Sequence, residues 1–597
     1  MKETKILIFL SILLILVIAG LIFVFFNNKP TLVHYSYFSS KEFFDEAVEQ
    51  GERQARESSN RIYGGILPHH LIVKDKIAAF FKGIEENNYE TIVLIGPNHF
   101  GRGKSKVMAS ETRWSTPYGF LEPDLILIDK LKNLSVLRAE EPPFDYEYSI
   151  SGLVSFIKKY FPDSKFVPII LRANITPQES SDLAKTLFDS VGNKNVLVLA
   201  SVDFSHYQPV SVADFHDLKS NSVIQSFDFD RIYDLEIDSP PSVYVLLKYL
   251  ELIKTEEGDL IFSTNSGALI GKNDIPTTSH NFFYFQKGEK SDKKLINFLF
   301  FGDLMLDRNV GKIIKENGLD YIFNKLAGEE NKFFEGVDII SANLEGAVTN
   351  EGTHYKPDFA YDFAFAPDLI KWLKKYNFNF LNLANNHFSD QGEKGMIETR
   401  NNLDELKINY SGCSDQETGE CSSTIIRVAD KKIGMTGFSM IYAVIDIEKA
   451  KEIVRGLKEA SDFVVVNMHW SAEYTHKFSA IQQQIAHGLI DAGADIIIGH
   501  HPHVVQGIEI YKTKPIFYSL GNFVFDQYFS QDTQEGLSIG LAVSNFIDIS
   551  IFPLKLEFSR PQLMVDNEKK EFLDKLILWS EINPEISNQI INGKIRL

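Results

Sequence analysis

Short apolar runs alternate with longer amphipathic stretches along the chain from about residue 60, and each run ends at polar residues. The runs are rich in β-branched and aromatic residues, which is typical of strands buried on both faces of a sheet. They lie at 91–95 and 195–199 in the first half, and at 295–301, 338–340, 378–383, 463–466 and 495–498 in the second half. Buried strands separated by helices predict an α/β fold, in which the carboxyl ends of the strands line the ligand crevice.

The amino-terminal pattern is different. Residues 6–26 carry no charge, and as a helix rising about 1.5 Å per residue they would span roughly 30 Å, the thickness of a bilayer core. Lys2 and Lys5 precede the run, which favours a cytoplasmic amino terminus and export of the rest. A cleaved signal peptide is the alternative, but its apolar core would be shorter and would end at small residues. We therefore predict a single-pass protein of the cell membrane with its large domains outside the cytoplasm.

A charged stretch at 287–294 marks a boundary between two large domains. We predict a cytoplasmic tip and transmembrane anchor at 1–30, a linker at 31–60, a first domain at 61–290, a second at 291–560 and a helical tail at 561–597. Within the linker, residues 39–60 have a juxtamembrane helix as the alternative. A chain of 597 residues is also longer than one hydrophobic core usually serves.

The formal net charge of −19 argues against nucleic acid as a partner.

Only two cysteines occur, Cys413 and Cys421, and they bracket a polar stretch. This spacing suits a loop-closing disulfide, which an exported location permits. Two free thiols in a surface loop are the alternative.

Polar strand ends in the second half offer the donors that a two-metal hydrolase needs. The predicted ligands are Asp303, Glu345, Asn386, His469, His501 and His503. His387 follows Asn386 directly and is placed to act as a general acid. Asn386 and Asn343 have the alternative role of capping helices or closing turns. His500 is expected to support ligands rather than to be one.

The second half resembles the CapA-type poly-γ-glutamate capsule synthesis family. The resemblance rests on Phe-Gly-Asp-Leu-Met at 301–305, Ala-Asn-Leu-Glu-Gly at 342–346, Ala-Asn-Asn-His at 384–387, Met-His-Trp-Ser-Ala-Glu-Tyr at 468–474, Gly-His-His-Pro-His at 499–503 and Tyr-Ser-Leu-Gly-Asn-Phe at 518–523. It implies a calcineurin-like metallophosphoesterase-type α/β/β/α sandwich with two divalent ions, Mn, Zn or Fe. It also implies a role outside the cell in capsule or wall polymer metabolism. Met305 stands where phosphoesterases have a His, and thioether sulfur is a poor ligand for hard ions.

The first half resembles the Memo-like family, also called AmmeMemoRadiSam system protein B, which is akin to the class III extradiol dioxygenases. The matching stretches are Gly-Ile-Leu-Pro-His at 65–69, Gly-Pro-Asn-His at 96–99, Trp-Ser-Thr-Pro-Tyr-Gly at 114–119 and Ser-Val-Asp-Phe-Ser-His at 201–206. The resemblance implies His69 and His99 as ligands of a single iron or other metal, with Asp203 and His206 beside them. Ser266 stands where the family has a Cys, and Tyr148 where it has a His.

Three functions follow as hypotheses from these observations. The first is a membrane-anchored, metal-dependent hydrolase acting on an envelope polymer or on a small phosphorylated or amide-linked substrate. The second is a non-catalytic scaffold or binding protein for envelope assembly. The third is an iron-dependent oxidoreductase centred on the Memo-like half.

Overall fold

The computed structural model describes residues 32–356 and 361–597. The predicted anchor at 6–26 lies outside these ranges. Within them, no helix combines the length and the apolar composition that crossing a bilayer requires. The chain falls into two units, the first formed by residues up to Gly65 with His69–Ser201, and the second by Ile66–Pro68 with Val202–Leu597.

The first unit is built on a largely parallel sheet. Its strands are β1 Val33–Tyr35, β2 Ile62–Leu67, β3 Thr91–Pro97, β4 Val107–Ala109, β5 Arg113–Thr116, β6 Gly119–Leu121, β7 Leu137–Ala139, β8 Lys165–Leu171 and β9 Val196–Ser201. Its helices are α1 Lys41–Glu52, α2 Lys74–Lys82, α3 Leu125–Leu131, α4 Tyr148–Ser151, α5 Val154–Tyr160 and α6 Pro177–Val191. The order in the main sheet is β2–β9–β3–β8–β4–β7, and β1, β5 and β6 form a small sheet of their own.

The segment predicted as a linker, 31–60, contains regular structure. Strand β1 pairs in parallel with β5, with Val33 opposite Arg113. Helix α1 begins after Ser40, whose hydroxyl accepts a hydrogen bond from the backbone of Phe43, and it buries Phe44 and Val48. A helix after the anchor is the alternative to a linker for residues 39–60. The few apolar residues of the helix are dispersed among many charged ones, but their helical spacing places them on one face.

The second unit begins with an antiparallel ribbon and continues into two larger sheets. Its strands are β10 His206–Gln208, β11 Glu257–Asn265, β12 Thr277–Gln286, β13 Ile296–Leu304, β14 Ile339–Leu344, β15 Ala347–Val348, β16 Ala364–Phe365, β17 Phe378–Asn382, β18 Asn409–Ser411, β19 Ser423–Val428, β20 Lys431–Met440, β21 Phe463–Trp470, β22 Ile496–His500, β23 Ile508–Tyr511, β24 Lys514–Phe517, β25 Asn522–Val524, β26 Glu535–Val543, β27 Ile547–Glu557, β28 Arg560–Leu563 and β29 Lys594–Arg596. Its helices are α7 Val210–Gln225, α8 Pro240–Leu252, α9 Ser266–Leu269, α10 Arg308–Asn317, α11 Asp320–Ala327, α12 Pro367–Lys375, α13 Gly392–Leu406, α14 Ile447–Ala460, α15 Ala480–Ala492, α16 Asp566–Trp579 and α17 Pro584–Ile591.

Two sheets pack face to face in the second unit. The first runs β18–β17–β14–β13–β26–β27–β28, with β25 beside β13 and β29 beside β27, and the second runs β19–β20–β21–β22–β24–β23. Phe298, Ile539 and Ile496 belong to the apolar layer between them. Helices α10 to α12 cover the outer face of the first sheet, and α14 and α15 that of the second. The prediction of an α/β chain is confirmed, and the layers are helix, sheet, sheet and helix.

The carboxyl-terminal segment predicted as a helical tail adds a strand as well as two helices. Strand β29 is antiparallel to β27, with Ile595 opposite Ile549. Helix α16 buries Phe572 and Leu576 in the same apolar layer as the two sheets. This segment is therefore an integral part of the second unit.

Buried ion pairs join residues 202–290 to the second half, so the charged stretch at 287–294 is not where the units divide. The Lys219 ammonium lies 2.7 Å from one oxygen of Asp338, and the Arg231 guanidinium lies 3.2 Å from the other. All three side chains are almost fully buried. Charges removed from water remain stable only when they are paired, which makes this cluster a structural joint.

Replacing Asp338 by Ala should destabilise the second unit by about 3–5 kcal/mol, because it leaves the buried Lys219 without its carboxylate and Arg231 with Asp228 alone. Urea unfolding of the purified protein measures this change. The control is Asp491→Ala, which removes an exposed ion pair with Lys512. The joint is unimportant if the two variants unfold at the same urea concentration.

Candidate functional site

The strand ends of the first sheet place three polar side chains in a row. Strands β13, β14 and β17 are parallel, and their register sets Asp303 opposite Asn343 and Asn343 opposite Asn382. The Asn343 amide nitrogen donates to Oδ1 of Asp303 at 2.8 Å, and the Asn343 oxygen accepts from Asn382 at 2.9 Å. The amides therefore hold the Asp303 carboxylate in one orientation.

A second carboxylate, Glu345, is buried next to Asp303. Both side chains are 0% exposed. Burial raises the pKa of Glu345 well above its usual range, and the nearby charge of Asp303 raises it further. Burial alone also raises the pKa of Asp303, but hydrogen bonding and charge from His503 outweigh it, so that this pKa is lowered. Two such carboxylates favour a bound cation.

The second sheet supplies histidines from the ends of β21 and β22. His469 lies 3.2 Å from the Asn343 amide through Nδ1 and 2.8 Å from the Asn386 oxygen through Nε2. Its ring is 4.7 Å from that of His501. Burial and the neighbouring His501 hold the pKa of His469 well below its usual range, which keeps the imidazole neutral and able to coordinate a metal.

The loop after β22 has a constrained backbone. His501 and His503 have φ values of +95° and +56°, in a region that non-glycine residues seldom adopt. The backbone N–H of His501 donates to Oδ2 of Asp303, and His503 Nδ1 lies 3.3 Å from the same oxygen. His503 Nδ1 also lies 3.0 Å from the Asn522 amide oxygen. Such backbone conformations persist where surrounding contacts fix them, as at functional sites.

The residues present fit a divalent metal ion. Asp303, Glu345 and His503 each offer a ligand atom, and these atoms lie within 4.8 Å of one another. Oε2 of Glu345 and Nδ1 of His501 are buried without a hydrogen-bond partner in the described ranges. Buried polar atoms are normally satisfied, so these two point to a ligand. Carboxylate oxygens with imidazoles are donors that Mn, Zn and Fe accept.

His387 lies at the edge of this cluster, half-buried, on a large cavity. Its Nδ1 is 2.9 Å from Oδ2 of Asp390, and its ring is 4.3 Å from that of Phe363. The cavity has a volume of about 750 Å³ and is also lined by Asn386 and His503. Since an ionised carboxylate only accepts hydrogen bonds, Nδ1 of His387 carries a proton and Nε2 is available for exchange.

All six predicted ligands of the second half lie in this one network, and their role in coordination stays a prediction. His500 lies beside them, with Nδ1 3.7 Å from Asp303 and Nε2 3.4 Å from the Asn467 oxygen. Its Nδ1, like that of His501, is buried without a hydrogen-bond partner in the described ranges, so its supporting role stays a prediction. The buried sulfur of Met305 accepts a hydrogen bond from the backbone of Asp307. Asn343 does not cap a helix. It connects Asp303 to His469, and only its position in register with Asp303 could have indicated this.

The first unit contains the predicted His69 and His99. Their rings are 5.1 Å apart. Nδ1 of His99 lies 2.7 Å from Glu147, and Nδ1 of His69 lies 3.0 Å from the Ser201 hydroxyl. Tyr148 stacks on His99 with ring centroids 4.1 Å apart. Partners at Nδ1 fix the orientation of both rings, as they do for metal-binding histidines.

Asp203 and His206 lie in the second unit together with Asp238, a residue not predicted from the sequence. Ligand atoms of Asp203, His206 and Asp238 lie within 4.8 Å of one another. Asp238 precedes α8 outside any recognised motif. The hydroxyl of Ser266 lies 2.8 Å from that of Thr277 and accepts a hydrogen bond from the backbone of Thr278. The role of Ser266 as a ligand stays a prediction.

The loop at 413–421 is closed by a disulfide between Cys413 and Cys421. The Cys413 side chain is buried, and the backbone of Gly412 donates to that of Cys421. Asp415 within this loop accepts hydrogen bonds from Ser439 and Ile441. The closed loop is therefore tied to the end of β20.

Comparison with known proteins identifies both halves. The family model for bacterial capsule synthesis protein PGA_cap matches residues 297–527, and that for Memo-like protein matches residues 35–276. The capsule biosynthesis protein CapA of Bacillus anthracis is 31% identical over 316 residues, covering 49% of this chain and 74% of that protein. A MEMO1 family protein of Caldivirga maquilingensis is 32% identical over 222 residues, covering 35% of this chain and 78% of that protein.

The chain belongs to both families, as a fusion. The PGA biosynthesis protein CapA of Bacillus subtilis is a further relative, 35% identical over 253 residues that cover 40% of this chain and 65% of that protein. The metal-ligand cluster lies within the PGA_cap region, and the histidine pair lies within the Memo-like region. Both predicted resemblances are confirmed.

The histidines of the PGA_cap region should make its stability depend on pH. Burial lowers the pKa of His500 from 6.5 to about 4 and that of His501 to about 3. Between about pH 6.5 and 4 the unfolded chain therefore binds protons that the folded chain does not, so that stability falls as the pH falls.

In chelator-treated protein, we expect the free energy of unfolding to decrease on acidification by up to about 1.4 kcal/mol per pH unit for each such group. Urea titrations between pH 7 and 4.5 measure the slope. His500→Asn should reduce that slope, because the group that titrates is gone. An unaltered slope in this variant would contradict the assignment.

Proposed function

We propose that the chain is a metal-dependent hydrolase of the cell envelope, acting through its PGA_cap region on a phosphoester or amide bond of a capsule or wall polymer. The observation that carries this proposal is the convergence of Asp303, Glu345 and His503 within 4.8 Å, at a site with buried, unpartnered ligand atoms. A purely structural cluster would gain no advantage from adjacent buried carboxylates. Metal-dependent hydrolases use such carboxylates as metal ligands.

The protein side of the mechanism assigns separate tasks to these residues. Asp303, Glu345, His503, His469, His501 and Asn386 would hold the ions. Bound divalent ions supply Lewis acidity, which lowers the pKa of water and polarises phosphoryl oxygens. Asn343 and the His501 backbone fix the Asp303 carboxylate. His387, oriented by Asp390, donates its Nε2 proton to the oxygen or nitrogen of the leaving group.

The printed names of relatives support the choice of polymer. They are described as capsule and PGA biosynthesis proteins, and we extend that role to this chain. We further propose that the chain is held in the membrane by residues 6–26, with both regions outside the cytoplasm. A scaffold for envelope assembly is the competing function, and it requires no metal.

A single ion, iron or another metal, is proposed for the Memo-like region. Asp203, His206 and Asp238 supply two carboxylates and an imidazole within 4.8 Å, oxygen and nitrogen donors that divalent metal ions accept. Metal analysis tests both sites together. A protein that carries no metal after growth with Mn, Zn and Fe would exclude the hydrolase and favour the scaffold.

Asp303→Ala should remove the metal of the PGA_cap region, because it deletes a ligand that lies between Asn343 and His503. We expect the metal content of the purified protein to fall while one equivalent stays in the Memo-like region. Elemental analysis measures both. His206→Ala is the reciprocal variant, and it should lower the metal content without affecting phosphoester hydrolysis. Loss of all metal in either single variant would contradict two separate sites.

His387→Ala should keep the metal and lower the rate of hydrolysis about 10²- to 10⁴-fold, because proton donation is lost. The loss should be smaller for esters of acidic alcohols, whose leaving groups need no proton. Steady-state rates with a series of aryl and alkyl phosphates measure this dependence.

The control variant is His487→Ala. That ring stacks on Tyr511 and lies 2.8 Å from Glu509, outside the cavity. If His387→Ala slows all esters equally and lowers metal content, His387 supports the structure and is not the acid.

A further inference from the structure

The cavity beside the metal-ligand cluster has aromatic walls. Among the described residues, six aromatic ones line it: Tyr361, Phe363, Tyr442, Tyr474, Phe525 and Phe529. Tyr442 and Phe529 are 72% and 67% exposed. The rings of Tyr474 and Phe529 meet edge to face at 5.3 Å. Exposed rings gathered around one cavity indicate a surface that binds a ligand.

The same cavity is rich in carboxylates. Asp390, Glu473 and Asp526 line it, and Arg308 is the only lysine or arginine among the described residues that do so. The Arg308 guanidinium is hydrogen-bonded to Asp526 and lies over the rings of Phe363 and Phe525, at 5.0 and 5.8 Å from their centroids. Its charge is thus matched within the protein. In the described ranges, Glu473 has no ion pair with a lysine, arginine or histidine.

Tyr474 connects the aromatic and acidic parts of this wall. It follows Glu473 in the loop after β21, and its hydroxyl accepts a hydrogen bond from Gln527 at 3.3 Å. Burial raises the pKa of Tyr474, and the neighbouring Glu473 raises it further, so the phenol stays neutral. A neutral ring beside an unpaired carboxylate is an arrangement that attracts a cation.

From these contacts we propose that the cavity binds a positively charged ammonium group of the substrate, held by Glu473 and the rings of Tyr474, Phe529 and Tyr442. The inference rests on the proposed function and narrows its substrate to a phosphoester of an amino or quaternary ammonium alcohol. Asn386, His387 and His503 line the same cavity, so the phosphate reaches the metal-ligand cluster while the ammonium group contacts the aromatic wall. Aromatic rings bind quaternary ammonium groups in this way.

The only lysine or arginine among the described residues that line the cavity is already paired, since Arg308 is hydrogen-bonded to Asp526. The cationic end of a substrate therefore meets acidic side chains here. A zwitterionic substrate, anionic at the metal cluster and cationic at the aromatic wall, matches the charge at both ends.

The test compares two phosphodiesters that differ only in the charge of the alcohol group. One is p-nitrophenyl phosphorylcholine, and in the other a neutral 3,3-dimethylbutyl group of the same shape replaces the choline. Hydrolysis adds a water oxygen to phosphorus and breaks the phosphorus–nitrophenol oxygen bond. One proton of the water stays on the new phosphate monoester and the other goes to the nitrophenol. With the metal-loaded full chain, kcat/KM should be about 10-fold higher for the choline ester, the size expected of a cation–aromatic contact with a nearby carboxylate.

Glu473→Gln should lower the ratio of the two kcat/KM values toward 1, because the substitution keeps the shape and removes the carboxylate charge, while the aromatic rings remain. The matched control is Glu459→Gln on the exposed face of α14. This variant should give the same ratio of kcat/KM values as the unsubstituted protein. Equal kcat/KM for the two esters in the unchanged protein, or a preference for the isostere, would overturn the proposal.

A binding measurement separates this inference from the hydrolase function. Tetramethylammonium is titrated into the metal-free full chain and followed by calorimetry, with Glu473→Gln alongside. If neither ester is hydrolysed but tetramethylammonium binds and Glu473→Gln weakens it about 10-fold, the hydrolase function fails and the ammonium site stands. Absence of binding together with absence of hydrolysis overturns both.

Discussion

Two carboxylates buried side by side impose the main constraint on the PGA_cap region. Asp303 and Glu345 are fully buried, and nothing but a cation or a proton can relieve their repulsion. In the metal-free protein the pKa of Asp303 is lowered and that of Glu345 is raised, so that only one of the two carboxylates is favoured in its charged form. The surrounding structure holds both acids in place, which explains why so many rigid elements converge here.

Amides rather than charges provide that rigidity. Asn343, Asn382 and Asn385 form a hydrogen-bonded series at the ends of parallel strands, and Asn343 reaches both Asp303 and His469. A neutral amide can donate to a carboxylate and accept from a neighbour without adding charge to a buried site. The two sheets are therefore joined at their functional edge by side chains that do not compete with a metal ion for charge.

Buried ion pairs, as well as the continuous chain, connect the Memo-like half to the PGA_cap region. Residues 202–290 come from the Memo-like half, yet Lys219 and Arg231 are paired with Asp338 in the same unit as the PGA_cap region. Glu236 extends this joint, since it accepts from the backbone of His206 and lies 3.3 Å from Lys332. Burial by itself raises the pKa of Glu236, but His216 and Lys332 lower it to about 2, so the carboxylate stays charged. The candidate ligand His206 is thus fixed by a residue that also contacts the second half.

The sequence by itself determined the α/β class, both family resemblances and the polar strand ends, because buried strands and their terminal residues are local patterns. It also indicated Asp303, His469 and His503, whose positions after apolar runs can be read directly. Only the tertiary structure decided that Asn343 connects Asp303 to His469, and that Asp238 lies with Asp203 and His206. Those relations depend on the register and the crossing of strands far apart in sequence. The division of the chain was likewise decided by the buried ions around Asp338, because burial of a charge is not visible in local composition.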